Sequence, residues 1–198
     1  EYYYSEGYFY KEESLKNKVM FSSNKTTPIT KLYEAVNQIS PEGNIFLVTQ
    51  YSPSLDEEID VPSGKTVSIK RYSTFTVGSM INIVNHNFTV KTSDSSSQLF
   101  LDGCGIMSTV SGSSDSGGGI FINGGNLTLK GYSGTQNIIV KNHKSENDTC
   151  FGVGITLVGQ EGNVITLNNT KICDNIGNAT SSTSYGGAVG MMSGDLVV

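Results

Sequence analysis

The sequence has no tryptophan and a single arginine, Arg71, among 13 basic residues. With a net charge of −5, the chain has no basic face to neutralise phosphates, which excludes nucleic acid and an anionic membrane surface as partners. The missing indole weakens any sugar-stacking groove and leaves tyrosine as the substitute. No apolar run approaches the roughly 18 residues that read as a membrane helix. Any membrane attachment is therefore expected through a part outside this chain. The first residue is Glu rather than Met and the last run, "SGDLVV", is apolar, which reads as a mature chain or a fragment whose final repeat is incomplete.

Cysteine is also scarce. Cys104, Cys150 and Cys173 lack the close pairs of a zinc site, so no metal or other cofactor is expected. Two readings stay open: one disulfide with a thiol left over, or three buried free thiols. Catalytic motifs are missing too. There is no GxSxG elbow, "GSSDSGGG" lacks the Lys of a phosphate loop, and "GGGIFINGG" lacks the Asp of a calcium-binding nonapeptide.

What remains is a turn-and-strand composition, with 23 glycines and abundant Asn, Ser and Thr, and only 16% charged residues. Five tyrosines crowd the first ten residues, so residues 1–27 read as a tail or an edge strand. One helix is predicted near 30–40, capped by Thr30, with Leu32, Val36 and Ile39 on one face. Pro41 and Gly43 end it. Short strands follow: "NIFLVTQ", "EEIDV", "KTVSIK", "STFTV", "MINIV", "NFTVK" and "QLFLDG".

From residue 117 the pattern repeats. The element Gly117-Gly118-Gly119-Ile120 is echoed by Gly152-Val153-Gly154-Ile155 and by Gly186-Gly187-Ala188-Val189. A second element runs NLTL (Asn126–Leu129), VITL (Val164–Leu167), DLVV (Asp195–Val198). A third, Ile139–Asn142 and Ile172–Asn175, ends in Asn. Three strands per repeat predict an all-β parallel β-helix over residues 28–198, with the helix capping its first end. Asn142 and Asn175 are expected to form an amide ladder between neighbouring repeats.

The GGA[ILV] element at Gly186–Val189 and the apolar-x-x-Asn elements resemble the repeats of the polymorphic outer-membrane protein family, with Ile in place of Phe in the latter. "LYEAVNQI", "GNIFLV" and "IDVPSGKTVSIK" are similar to the start of such surface proteins. The resemblance implies a right-handed β-helical domain, secreted or displayed on the cell surface and used for adhesion to a host-cell or matrix ligand or a glycan; the missing catalytic motifs add the expectation that it is not an enzyme. Six sequons, Asn24, Asn87, Asn126, Asn147, Asn168 and Asn178, can carry glycans in a eukaryotic secretory host. Binding is expected on the polar loops Ser108–Ser116, Ser133–Asn137, Lys144–Thr149 and Asn178–Tyr185.

The rival reading is a polysaccharide lyase or hydrolase. Its carboxylates would come from Asp56, Glu57, Glu58 and Asp60, whose simpler reading is a solvated loop. Asp94, Asp102 and Asp115 stand singly, and His86 and His143 are expected at exposed corners. Thr128, Thr156 and Thr166 are expected on different faces, which argues against an ice-binding rank of threonines.

Overall fold

The computed structural model describes residues 1–20, 27–109, 118–147, 150–179 and 187–198. Gly117, Gly186, Asn24 and Asp115, together with 110–116 and 180–185 of the predicted binding loops, lie outside these residues.

The fold is mostly β, and most of its strand pairs are parallel. The tyrosine-rich start is strand rather than tail. β1 (Tyr2–Ser5) turns into β2 (Tyr8–Tyr10), and β1 pairs in parallel with β3. Between them in sequence lies α1 (Leu32–Gln38). Then come β3 (Glu42–Leu47), β4 (Glu57–Val61) and β5 (Thr66–Arg71). From here the chain settles into rounds of four strands. The first is β6 (Ile81–Val84), β7 (Phe88–Thr92), β8 (Gln98–Asp102) and β9 (Met107–Thr109). The next is β10 (Ile120–Asn123), β11 (Leu127–Lys130), β12 (Ile138–Lys141) and β13 (Lys144–Asn147). It is followed by β14 (Ile155–Leu157), β15 (Val164–Asn168), β16 (Thr170–Cys173) and β17 (Ile176–Ala179). β18 (Val189–Met191) and β19 (Asp195–Val197) begin one more.

Each round adds one strand to each of four sheets. The first sheet contains β6, β10, β14 and β18, and the second β4, β7, β11, β15 and β19. The third runs from β2 and β1 through β3, β5, β8 and β12 to β16, and the fourth is β9, β13 and β17. Single parallel bridges, Tyr51 to Ile81 and Val77 to Thr109, extend the first and fourth sheets back to the round of β4 and β5. The predicted strand "STFTV" contributes only that bridge at Val77.

Two consequences correct the expected three-strand repeat. There is a fourth strand per round, and it takes up Lys144–Asn147 of one predicted loop and, as part of Ile176–Ala179, the first two residues of another. Its inward positions are small: Ser108 and Ser145 are in register, and Gly177 follows. The third element also slips by one residue. Lys141 pairs with Cys173, so Val140 is opposite Ile172, and Ile139 is opposite Lys171. A one-residue slip exchanges faces: Val140 is buried, and Ile139 lies on the outer side.

The other two elements stack in register. Ile120 pairs with Ile155 and Ile155 with Val189, and Ile81 extends that column at the other end. Leu127 lies between Phe88 and Ile165, and Leu196 follows. These columns, with strands about 4.8 Å apart, make up one continuous core. α1 packs on its first end with Leu32, Ala35 and Val36 buried, joined by Ile39. The residue at the helix N-cap is Lys31, not Thr30; the Glu34 carboxylate accepts the N–H groups of Thr30 and Lys31 at 3.1 and 3.0 Å, while the Leu32 and Tyr33 N–H groups donate to the Tyr51 hydroxyl at 3.0 Å and the Glu57 carboxylate at 2.9 Å. A first-turn carboxylate also suits the positive end of the helix.

The amide ladder exists, but at a different corner. Between the first and second sheets, Asp56 accepts the Asn87 N–H at 2.7 Å, the Asn87 side-chain oxygen accepts the Asn126 N–H at 3.1 Å, and the Asn126 side-chain oxygen accepts the Val164 N–H at 2.8 Å. Two of the sequon asparagines are therefore corner braces. Asn142 and Asn175 are not equivalent: Asn142 donates to Asp102 at 3.1 Å, whereas Asn175 accepts the His143 N–H at 3.0 Å and donates to the Val140 carbonyl at 3.3 Å. Asn175→Ala is expected to lower stability by about 1–2 kcal/mol. Asn178→Ala, an exposed change, should stay within about 0.5 kcal/mol of wild type. Urea midpoints of the two variants check this, and equal midpoints would remove the bracing role of Asn175.

Candidate functional site

The residues proposed for acid chemistry do not converge. Glu57 points inward from β4 and is buried. Its carboxylate accepts the Tyr51 hydroxyl at 2.5 Å and the Tyr33 N–H at 2.9 Å at the start of α1. Burial raises its pKa despite those donors. Asp56 belongs to the corner ladder, which lowers its pKa. Glu58 and Asp60 are on the outer face of β4, where Lys91 lies 2.5 Å from the former and 4.0 Å from the latter. Asp94 organises a turn, accepting the Ser96 and Ser97 N–H groups and the Ser63 hydroxyl, and these donors hold its carboxyl below the usual range. Asp102 braces the corner after β8, accepting the Cys104 N–H at 2.8 Å, with Lys141 at 3.6 Å.

Two charged or titratable side chains, His143 and Arg71, are inside. His143 is buried, against the exposed corner predicted for it, with its Nε2 3.1 Å from the Leu101 carbonyl. Arg71 is buried too and donates to the carbonyls of Phe75, Gly78 and Gly118 at 3.0, 2.7 and 2.6 Å, while its guanidinium lies 4.4 Å from the Phe75 ring. It ties the turn after β5 to the next round and is not a surface base. His86 remains half-exposed, 3.9 Å from Asp56. All three cysteines are free thiols. Only Cys150 is buried, Cys104 is exposed and Cys173 lies between, so neither the disulfide nor three buried thiols holds.

The outer face of the second sheet is where polar groups line up in register. Thr89, Thr128 and Thr166 form one column, and Asp60, Lys91, Lys130 and Asn168 form the next. This corrects the expected scatter of threonines. Thr128 and Thr166 are neighbours, while Thr156 is buried and donates to the Gly152 carbonyl. Each strand still offers Thr-x-Lys or Thr-x-Asn, not the Thr-x-Thr of an ice-binding rank.

At the exit of this sheet lies a solvent-facing groove of about 410 Å³, lined by Asp60, Lys91, Ser93, Lys130, Tyr132 and Ser133 among others. Its shape follows from the lengths of the corners. In the next round Asn169 alone joins β15 to β16, whereas Gly131–Asn137 joins β11 to β12 and stands out as a lip. The lip is rigidly held. The buried Asn137 side chain donates to the carbonyls of Asp94 and Ser97 at 3.0 and 2.7 Å, and its oxygen accepts the Thr92 hydroxyl and the Tyr132 N–H at 3.0 and 2.9 Å. The Tyr132 carbonyl accepts from both the N–H and the hydroxyl of Thr135. The Tyr132 ring itself is 44% exposed. The lip belongs to the predicted Ser133–Asn137 loop. Lys130 and Tyr132 were not singled out in the sequence, although a lysine and a tyrosine flanking a Gly in a polar corner, "LKGYSG", is the signal that could have found them.

Of the sequon residues, Asn168 and Asn178 are exposed, Asn87 and Asn126 are engaged in the ladder, and Asn147 is in β13. Among the described residues no cluster of His, Cys, Asp and Glu is arranged to hold a metal, and no helix is long and apolar enough to cross a membrane. No protein family, characterised protein or solved structure matches this chain.

Proposed function

We propose that this chain is a right-handed parallel β-helix from a secreted or cell-surface protein, and that it recognises a host-cell, matrix or glycan ligand without catalysis. Support for the β-helix comes from the fixed order in which the chain visits its four sheets and from parallel pairing between successive rounds. The hand follows from the general rule for parallel crossovers, which are right-handed in nearly all cases. The observation that carries the recognition role is the groove beside Tyr132, an outer-surface cleft whose aromatic lip is fixed by buried hydrogen bonds. Preorganised aromatic and polar groups lose little entropy on binding.

The lyase alternative draws support only from the number of acidic residues around Asp56–Asp60, and each of them has a bracing or ion-pairing task. The test is attachment of the isolated chain to cells and matrix glycans. Saturable attachment, with acidic polysaccharides left intact, is the expected result. Turnover of such a polysaccharide, abolished by changing Asp56 and Asp60, would replace this reading with the enzymatic one.

A further inference from the structure

The recognition reading leaves the ligand open, and the groove narrows it. Lys91 is matched by Glu58 at 2.5 Å and by Asp60 at 4.0 Å, so its charge is already answered. Lys130 occupies the adjacent position in the same outward column, opposite Lys91 on one side and Asn168 on the other. It is exposed and has no carboxylate partner among the described residues. The groove thus holds one uncompensated cation. Beside it are the exposed ring of Tyr132 and the hydroxyl-bearing Ser93 and Ser133. Ser93 donates to Asp60 at 2.8 Å, which fixes the acid on the far wall as an acceptor for hydroxyl groups.

An ammonium, an exposed aromatic face on an anchored backbone and a carboxylate acceptor within one shallow cleft match one ligand class: a sugar ring that carries an acidic substituent. The ring's apolar C–H face packs on Tyr132, its hydroxyls reach Asp60 and the serines, and its anionic group meets Lys130. We propose that the groove formed by Asp60, Ser93, Lys130, Tyr132 and Ser133 binds an acidic saccharide unit. This inference rests on the recognition reading above.

The corner also explains why the site can be selective despite being shallow. Tyr132 is anchored through its N–H and its carbonyl, so the ring is presented and not recruited. Gly131, just before it, has a backbone so close to the Asn169 carbonyl that a Cβ there would lie 2.1 Å from that oxygen. Lys130 and Tyr132 therefore leave the groove wall from either side of a pinned backbone, so both side chains start from fixed positions.

Calorimetric titration of the intact chain with three probes tests this: oligogalacturonate, its fully methyl-esterified neutral form, and a heparin-derived oligosaccharide. Binding of either acidic probe with little binding of the neutral one is expected, and comparing the two acidic arms shows whether added sulfate strengthens binding beyond carboxylate alone. Lys130→Gln should weaken acidic binding by about tenfold or more, and Lys130→Arg should keep most of it. Tyr132→Ala should weaken binding to a similar degree while the urea midpoint stays near wild type, since the ring is exposed. Lys16→Gln, in the N-terminal segment, should change nothing. Equal affinity for the esterified probe, no binding of any probe, or equal losses from Lys130→Gln and Lys16→Gln would overturn the proposal. If cells are bound but acidic oligomers are not, this inference falls and the recognition reading stands.

Discussion

Gly125→Ala is expected to destabilise the protein by about 3–5 kcal/mol, and Gly134→Ala by only about 1–2 kcal/mol. The two glycines share a left-handed backbone, with φ of +90° and +76°. An L-residue is strained at either position, by roughly 1–2 kcal/mol. They differ in what surrounds them. A Cβ on Gly134 meets open solvent, but one on Gly125 would lie 1.9 Å from the carbonyl oxygen of His86. Val84 pairs with Asn123, which puts the corner Asn85-His86 directly beside the corner Gly124-Gly125 of the next round. The clash is with backbone, which cannot swing aside without breaking the ladder at Asn87 and Asn126. Relief therefore requires moving two rounds apart and loosening the columns of Ile83, Ile122, Phe88 and Leu127. Urea unfolding of both variants, with m-values compared to confirm two-state behaviour, isolates the stacking contribution as the difference between them. Equal losses would show that the corners are not in tight contact.

The stretch around Gly125 also shows why some of this architecture can be read from sequence. Strands of the first and second sheets alternate between inward and outward positions: Ile120 and Ile122 are inward with Phe121 outward, and Leu127 and Leu129 are inward with Thr128 outward. Alternation of that kind survives variable loops, so the columns through Ile120 and Leu127 are visible as echoes near residues 155, 165, 189 and 196. The fourth sheet has no such signal. Its strands, "MST", "KSEN" and "IGNA", place Ser108, Ser145 and Gly177 inward, where only small residues fit: a Cβ on Gly177 would lie 2.9 Å from side-chain atoms of Cys150 and Val153. Polar strands of that kind look like loops. The slip between Ile139 and Ile172 has a related cause. "NIIV" holds three apolar residues in succession, so the inward position is ambiguous until the partner strand fixes the register. Corner chemistry was legible as composition but not as placement. Asparagine announces a corner, yet which asparagine braces the next round depends on loop lengths that repeat only loosely. The groove was harder still, because it exists through the contrast between the lip Gly131–Asn137 and the single-residue corner at Asn169.

His143 gives a large expected dependence on pH between neutrality and mild acid. A histidine beside Asn and Lys in "KNHKS" reads as exposed, yet the ring is turned inward from the corner between β12 and β13. Burial away from water disfavours the charged imidazolium most, and the nearby Arg71 guanidinium opposes it further; together they push the pKa down to about 4 from 6.5. The 3.1 Å contact of Nε2 with the Leu101 carbonyl suits the neutral ring protonated at that nitrogen, while Nδ1 is buried with no hydrogen-bond partner. A second proton would have to go there. In the unfolded chain the ring takes up its proton near pH 6.5, and in the folded chain it does not do so until about pH 4. The stability that depends on a neutral ring is therefore complete above pH 6.5 and is lost progressively as pH falls to 4, by about 3 kcal/mol in all. Glu57 works in the opposite direction: burial raises its folded pKa, so its contribution is complete in acid and is lost as pH rises through that value. Urea unfolding at pH 7, 5.5 and 4, for wild type and His143→Gln, separates the two, because the Glu57 contribution is common to both proteins and cancels. Gln can still donate to the Leu101 carbonyl but cannot take up a proton. The difference in stability between wild type and His143→Gln should shift by about 3 kcal/mol between pH 7 and pH 4, against wild type. A difference that stays constant with pH would mean that His143 is free to charge in the folded protein, which its position between Arg71 and the Leu101 carbonyl does not allow.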